Sequence, residues 1–175
     1  GAVGPPLPGV ELRLAGDGEI LLRGPNCTPG YLELPEQTAA LIDDEGWLHT
    51  GDIGALDDDG QLRVVDRKKE LIITAGGKNI APAQIEGRLK QHPLIGQVLA
   101  YGDGRPYVVA LIALDAEGAA SWASQRGLPP DSIEALARNR ELRAEIERAV
   151  DRTNAGLARV EQIKRFEVLG VEWSA

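Results

Sequence analysis

The chain has one cysteine, Cys27, in 175 residues. That excludes an internal disulfide and is the usage expected in a reducing cytosol. No apolar run is long enough to span a bilayer, and the start lacks the basic-then-apolar pattern of a signal peptide. Basic residues are scarce: 19 Lys and Arg stand against 27 Asp and Glu, a net charge of −8, with no basic stripe. Nucleic acid is therefore not an expected partner. The two histidines, His49 and His92, have no Cys or His at ligand spacing, so no metal site is expected. "DDDG" at 57–60 begins like a calcium loop but lacks the later ligands, and reads as a hairpin turn. The P-loop spacing and the G-x-S-x-G nucleophile elbow are both missing.

What remains is globular in composition, 43% hydrophobic and 26% charged, enough to bury a core. Its charge is uneven. Residues 1–65 carry 3 basic and 12 acidic side chains, while residues 66–175 carry 16 and 15. The pattern changes at the same place. Before it, "GVELRLA" alternates as a half-buried strand, "GDG" turns, and "EILLRG" returns. "LPEQTAALI" opens on Pro35 as a short helix, and "GWLHTGDIGAL", "DDDG" and "QLRVVD" read as strand, turn, strand. After it, a strand is expected at 70–74 and a helix at 81–92, followed by strands in "LIGQVLAYG" and "RPYVVALIALD". The apolar run 108–114 reads as a strand covered on both faces. A helix closed by Gly127, one continuous helix over 132–156 with Leu142, Ile146 and Val150 on one stripe, and a final strand in "QIKRFEVLG" complete the chain. The expected fold class is α+β. A small β-rich unit (1–66) precedes a compact unit (67–175) with helices on a small sheet.

Three stretches could carry chemistry. In "HTGD", Asp52 follows a glycine at the turn after a strand. A carboxylate so placed can accept two hydrogen bonds from a vicinal diol such as a ribose, or can simply cap the turn. In "VVDRKKELI", Arg67, Lys68 and Lys69 lie between two strands. Arg67 could hold a phosphate or ribose, or the segment could be a solvated loop with local ion pairs to Asp66 and Glu70. In "TAGGKNIAP", Gly76, Gly77 and Lys78 precede a helix. Backbone without Cβ lets a ligand chain pass close, or the glycines merely make a turn.

The order and spacing of these stretches say more than each alone. "GWLHTGDIG", "DRKKELI", "GGKNIAP" and "GDGRPYVVALIALD" closely resemble the adenylate-forming superfamily, and within it the bacterial long-chain fatty-acid–CoA ligases, over essentially the whole chain. The resemblance implies an ATP-dependent acid–thiol ligase with ATP and CoA as substrates and Mg²⁺ in the parent enzyme. A fatty carboxylate attacks the α-phosphate of ATP, and the CoA thiol then attacks the acyl-adenylate. A small domain rotates on a large one between the two steps. By this likeness Asp52 would bind the ribose hydroxyls, Arg67 the ribose or phosphate region, and Lys69 would be the hinge. Gly76, Gly77 and Lys78 would form the CoA/pantetheine loop, and Glu86 would give structural support. The parent would be cytoplasmic, with peripheral membrane contact open to it.

The pattern also departs from the family. Its phosphate-binding loop and its adenine- and magnesium-contacting segment are absent and would precede Gly1. Its catalytic lysine would follow Ala175; Lys164, before the last strand, does not match it and reads as a surface lysine. The chain is thus expected to be a C-terminal portion whose intramolecular partner is the missing N-terminal domain, inactive by itself and binding no cofactor tightly. Two alternatives stand beside this reading: a fatty-acyl-AMP ligase that loads a carrier protein, and a stand-alone, non-catalytic binding module.

Overall fold

A computed structural model describes residues 2–128 and 132–171. They form two compact units, Gly1–Glu70 and Leu71–Ala175.

The first unit is a five-stranded antiparallel sheet. Its strands are β1 (Ala2–Gly4), β2 (Glu11–Leu14), β3 (Glu19–Arg23), β4 (Leu48–Leu56) and β5 (Leu62–Arg67), in the order β1-β5-β4-β3-β2. The β2–β3 hairpin turns at Gly18, whose φ of +88° suits only glycine without strain. The β4–β5 hairpin turns at "DDDG". Asp57 Oδ1 accepts from the amides of Asp59 and Gln61, so the acids make a turn rather than a metal loop. Helix α1 (Pro35–Leu41) starts at its proline and buries none of its residues. The core here is thin: Ile20, Leu21, Trp47 and Leu62, with the carboxylates of Glu19 and Asp66 also buried. Two guanidiniums lie over the Trp47 ring, Arg13 at 4.2 Å and Arg23 at 4.4 Å from its centroid. Large apolar side chains stay outside; Leu32 is 90% exposed.

The 3₁₀ turn Lys68–Glu70 ends this unit. The second begins with β6 (Ile72–Ile73) and β7 (Asn79–Ile80), a two-stranded hairpin. Helix α2 (Pro82–Leu89) leads to a three-stranded sheet of β8 (Ile95–Tyr101), β9 (Val108–Leu114) and β10 (Ile163–Leu169), with β9 central. β8 pairs antiparallel to β9 and β10 pairs parallel. Between β9 and β10 run α3 (Ala116–Gln125), α4 (Ile133–Arg138) and α5 (Arg140–Ala155). Ile85, Leu89, Ile112, Leu142 and Ile146 are at most 1% exposed and belong to one continuous core. Leu142, Ile146 and Val150 do form the buried stripe of α5.

Four expectations need correction. The strand expected over 70–74 contracts to Ile72–Ile73, because a strand lasts only as long as its partner and β7 has two residues. The helix expected over 81–92 stops at Leu89, ahead of Pro93, which disfavours helical backbone at the residue before it. β9 is not covered on both faces: Leu111 is 39% exposed. The single helix expected over 132–156 is two helices. Asn139 leaves helical geometry (φ −65°, ψ 126°), and its side chain accepts from the amides of Glu141 and Leu142, capping α5.

Candidate functional site

Asp52 lies inside β4, not at a turn after it. The turn-like chemistry of "HTGD" appears instead as a local distortion of the strand. Gly51 takes φ +72°, and the β4–β5 register shifts between Ile53 and Gly54. Thr50 Oγ1 donates to the Ile20 carbonyl at 2.8 Å and accepts from the Asp52 amide at 3.1 Å. The register places Asp52 opposite Arg67, and Arg67 Nε meets Asp52 Oδ1 at 2.8 Å. The structure therefore joins two of the residues singled out from sequence. The Arg67 side chain is 59% exposed and that of Asp52 29%, so their pairing adds little stability, within about 0–1 kcal/mol. Its effect is orientation: a carboxylate and a guanidinium held side by side at a half-open surface can meet hydroxyl donors and an anionic oxygen together.

A second cluster supports this one. Glu19 is 4% exposed. Its Oε1 accepts from the Gly51 amide at 3.0 Å; its Oε2 lies 2.8 Å from Lys68 Nζ and 3.1 Å from His49 Nδ1. Lys68 also reaches Asp17 Oδ2 at 2.7 Å. Burial pushes the Glu19 carboxyl up. The hydrogen bonds from Lys68, His49 and Gly51, with the Lys68 charge, outweigh it and leave the group below its ordinary value. The hydrogen bond donated by Lys68 lowers Asp17 likewise, and donating to Asp17 and Glu19 raises Lys68. The solvated-loop reading of 67–69 is thus corrected for two of its cations. Arg67 pairs with Asp52, and Lys68 with Asp17 and Glu19, across the sheet. Lys69 is exposed on the 3₁₀ turn, just before the division between the units. Sequence reasoning missed Glu19, His49 and Lys68 as one cluster. Its bonds join residues 30 and 49 positions apart, which no local spacing reveals.

In the second unit, Gly76, Gly77 and Lys78 form the tip of the β6–β7 hairpin. The Thr74 amide donates to the Lys78 carbonyl, Gly77 N to Thr74 O, and Lys78 N to Thr74 Oγ1. Gly77 needs its φ of +72°; Gly76 does not have a positive φ. A Cβ on Gly76 would meet only Thr74 Oγ1, at 3.9 Å, and one on Gly77 nothing. Neighbouring side chains within the chain therefore do not explain why both are glycine. The hairpin is tied to the 102–105 turn: the Ile73 amide donates to Asp103 Oδ1, Ala75 N to Arg105 O, and Gly104 N to Ile73 O. Glu86 Oε1 accepts from the Ala100 amide at 2.9 Å and so joins α2 to β8. Lys164 is exposed and donates to Gln162.

Among the described residues no group of three His, Cys, Asp or Glu could hold a metal ion. No helix among them is long and apolar enough to cross a membrane.

Comparison with known proteins points one way. Residues 69–174 match the family described as AMP-binding enzyme C-terminal domain. The chain is 52% identical over 174 residues to fadD11 of Mycobacterium tuberculosis, provisionally named a fatty-acid–CoA ligase, covering 99% of this chain and 30% of that protein. It is 43% identical over 175 residues to the long-chain-fatty-acid–CoA ligase FadD15 of the same species, covering 99% of this chain and 29% of that one. Among solved structures it resembles the O-succinylbenzoate–CoA synthetase of Bacillus subtilis in complex with ATP and magnesium ion. The TM-score is 0.67 and the identity 29%, over 97% of this chain and 32% of that one. The chain thus spans less than a third of the length of these relatives.

Proposed function

Since the chain belongs to the AMP-binding enzyme C-terminal domain family, we propose that it forms the C-terminal part of an ATP-dependent fatty acyl-CoA synthetase. In this reading residues 1–66 are the distal β subdomain of the large domain, and residues 67–175 belong to the mobile small domain. Asp52 accepts hydrogen bonds from the ribose hydroxyls of ATP, and Arg67, anchored through Nε, turns its remaining N–H groups toward the ribose or phosphate. The fatty carboxylate displaces pyrophosphate at the α-phosphate, and CoA sulfur then displaces AMP at the acyl carbon. Lys69 absorbs the rotation between the two steps. Gly76 and Gly77 leave room for the pantetheine arm, with Lys78 at its edge. The magnesium ion belongs with the ATP phosphates, on residues of the longer enzyme. The enzyme works in the cytoplasm on fatty acid, with peripheral membrane contact.

The observation that carries this reading is the Asp52–Arg67 pair, built by strand register and by the Thr50–Gly51 distortion. The test is pyrophosphate release by the full-length protein with fatty acid, ATP and magnesium. Asp52→Ala is expected to lower kcat/KM for ATP at least tenfold, about 1.4 kcal/mol, and the 175-residue chain alone to release none. An unchanged kcat/KM in the variant removes Asp52 from the nucleotide site. Release by the chain alone refutes its inactivity.

A further inference from the structure

Arg67, Lys68 and Lys69 are three consecutive cations with three different fates. Arg67 Nε meets Asp52 on the neighbouring strand. Lys69 is exposed, and its side chain makes no ion pair or hydrogen bond among the described residues. Lys68, between them, meets two carboxylates: Nζ lies 2.7 Å from Asp17 Oδ2 and 2.8 Å from Glu19 Oε2. A lysine on a surface turn ordinarily keeps its long stem free, because fixing it sacrifices rotamer entropy. Two acceptors on one such ammonium ask for a reason.

The acceptors form a prepared receptor. Asp17 and Glu19 flank Gly18 in the β2–β3 turn, and each gives one oxygen to the backbone and the other to Lys68. Asp17 Oδ1 accepts from the Glu19 amide at 3.1 Å, and Glu19 Oε1 from the Gly51 amide at 3.0 Å. The turn is itself pinned to β4, where the Gly54 amide donates to the Gly18 carbonyl at 2.9 Å. Donating to Asp17, and then to Glu19, raises the Lys68 pKa, so the ammonium keeps its charge at neutral pH. The hold is one of position rather than of stability. Lys68 is 46% exposed, so its pairs add little to folding, yet two anchored acceptors leave its ammonium one place to sit. Sheet pairing ends at Arg67, and Lys68 extends the hold by one residue through its side chain. The side-chain ties stop there.

We propose that Lys68 is a positioning residue for the two-step reaction: it fixes the chain immediately before the pivot, so that Lys69 absorbs the rotation and Arg67 is not pulled. The inference rests on the reading of the chain as part of an acyl-CoA synthetase. A domain that turns about one residue exerts a torque on the chain before it. Arg67 is 59% exposed and bonded to Asp52 through Nε, a hold too weak to resist that torque alone. Without the Lys68 anchor the torsional change spreads over 67–69. The Arg67–Asp52 pair then shifts as the small domain swings, and the acyl-adenylate loses its contacts before the thiol arrives. Lys68 touches no reacting atom; its effect runs through Arg67 and the pivot.

The test uses the full-length protein. Fatty-acid-dependent ATP–pyrophosphate exchange reads the first step, and single-turnover transfer of preformed acyl-adenylate to CoA reads the second. Lys68→Met keeps the stem and removes the charge. Exchange is expected to fall less than twofold and transfer at least tenfold. Lys68→Arg, which can serve both carboxylates, is expected to restore transfer to within threefold of wild type. A merely structural role lowers both steps together, in proportion to folded protein, and leaves their ratio unchanged. An unchanged ratio therefore overturns the proposal and leaves the synthetase reading intact, whereas a wild-type protein without exchange overturns both. A second measurement needs no activity. Asp17→Asn combined with Glu19→Gln removes both charged acceptors and leaves the sequence around Lys68 as it is. Tryptic cleavage after Arg67 and Lys68, followed by mass spectrometry, is expected to rise at least fivefold relative to cleavage after Arg63 in β5. No relative rise shows that Lys68 anchors nothing and overturns the proposal directly.

Discussion

Glu19 offers the sharpest test of how the strand that carries Asp52 is held. Its side chain is 5% exposed, and replacing it with alanine removes three hydrogen bonds together. The Gly51 amide loses a charged acceptor at 3.0 Å, a loss worth about 1.5–3 kcal/mol. Lys68 is 46% exposed and keeps Asp17, and His49 is 36% exposed with Asp43 still at 3.7 Å. Solvent therefore discounts these two to about 0.5 kcal/mol together. The void left by the side-chain stem adds about 1 kcal/mol. Glu19→Ala is thus expected to destabilise the first unit by about 3–4.5 kcal/mol, a melting shift of at least 12 °C at roughly 4–8 °C per kcal/mol. Glu19→Gln retains an Oε1 acceptor for Gly51 and is expected to cost about 1 kcal/mol. Fluorine NMR of 5-fluorotryptophan-labelled protein reads the transition at Trp47 separately from the tryptophans of the second unit. The pH dependence follows from the sign of the shift. The folded Glu19 pKa lies below its unfolded value, so its contribution is complete above the unfolded value, about pH 4.3, and is lost as pH falls through the lower folded value. The Trp47 melting temperature should fall less steeply on acidification in Glu19→Gln than in the wild type. A residual slope should remain from Asp17 and Asp43, whose carboxyls are lowered too. A Glu19→Ala melting shift under 2 °C would refute the reasoning.

Three further substitutions test the second unit, each read by thermal melting of the helical circular dichroism. Gly87→Ala sits inside α2 where a Cβ meets nothing within 4 Å; it should stabilise by about 0.5–1 kcal/mol. Gly118→Ala drives its Cβ into the Pro93 carbonyl oxygen and beside the capping Asp115; it should destabilise by about 3 kcal/mol. Asn139→Ala removes the acceptor for the Glu141 and Leu142 amides and should cost about 1 kcal/mol. A Gly87→Ala loss as large as that of Gly118→Ala, or an Asn139→Ala melt identical to wild type, would contradict the respective packing and capping.

Much of the fold was legible because its signals are local. The alternation of 10–14, the turn at Gly18 and the stop at Gly127 each declare themselves within a few residues, and the structure has a strand, a turn and a left-handed cap there. The break at Asn139 was not legible, since the residues on both sides continue a helical pattern and one side chain decides. The extent of β6 was not legible either, because β7 sets it. At the site, spacing picked out Asp52 and Arg67, but only the β4–β5 register reveals that they bond to each other. Glu19 looked like any strand acid, and its importance rests on a lysine 49 positions away.

The order of strands in the second unit has a consequence for how the protein is made. β9 is the middle strand, yet one of its edges is covered only by β10, which follows after three helices. Parallel pairing across so long a connection must close a large loop before it gains a contact, and this is slow compared with forming a hairpin. A ribosome therefore delivers β8, β9 and all three helices while the edge of β9 is still bare. During that interval an apolar strand with unpaired amides and carbonyls is open to other nascent chains. Chaperone demand and inclusion-body formation should track the time until β10 emerges, and synonymous codons that slow translation between Leu114 and Ile163 should lower the soluble yield without altering the finished protein.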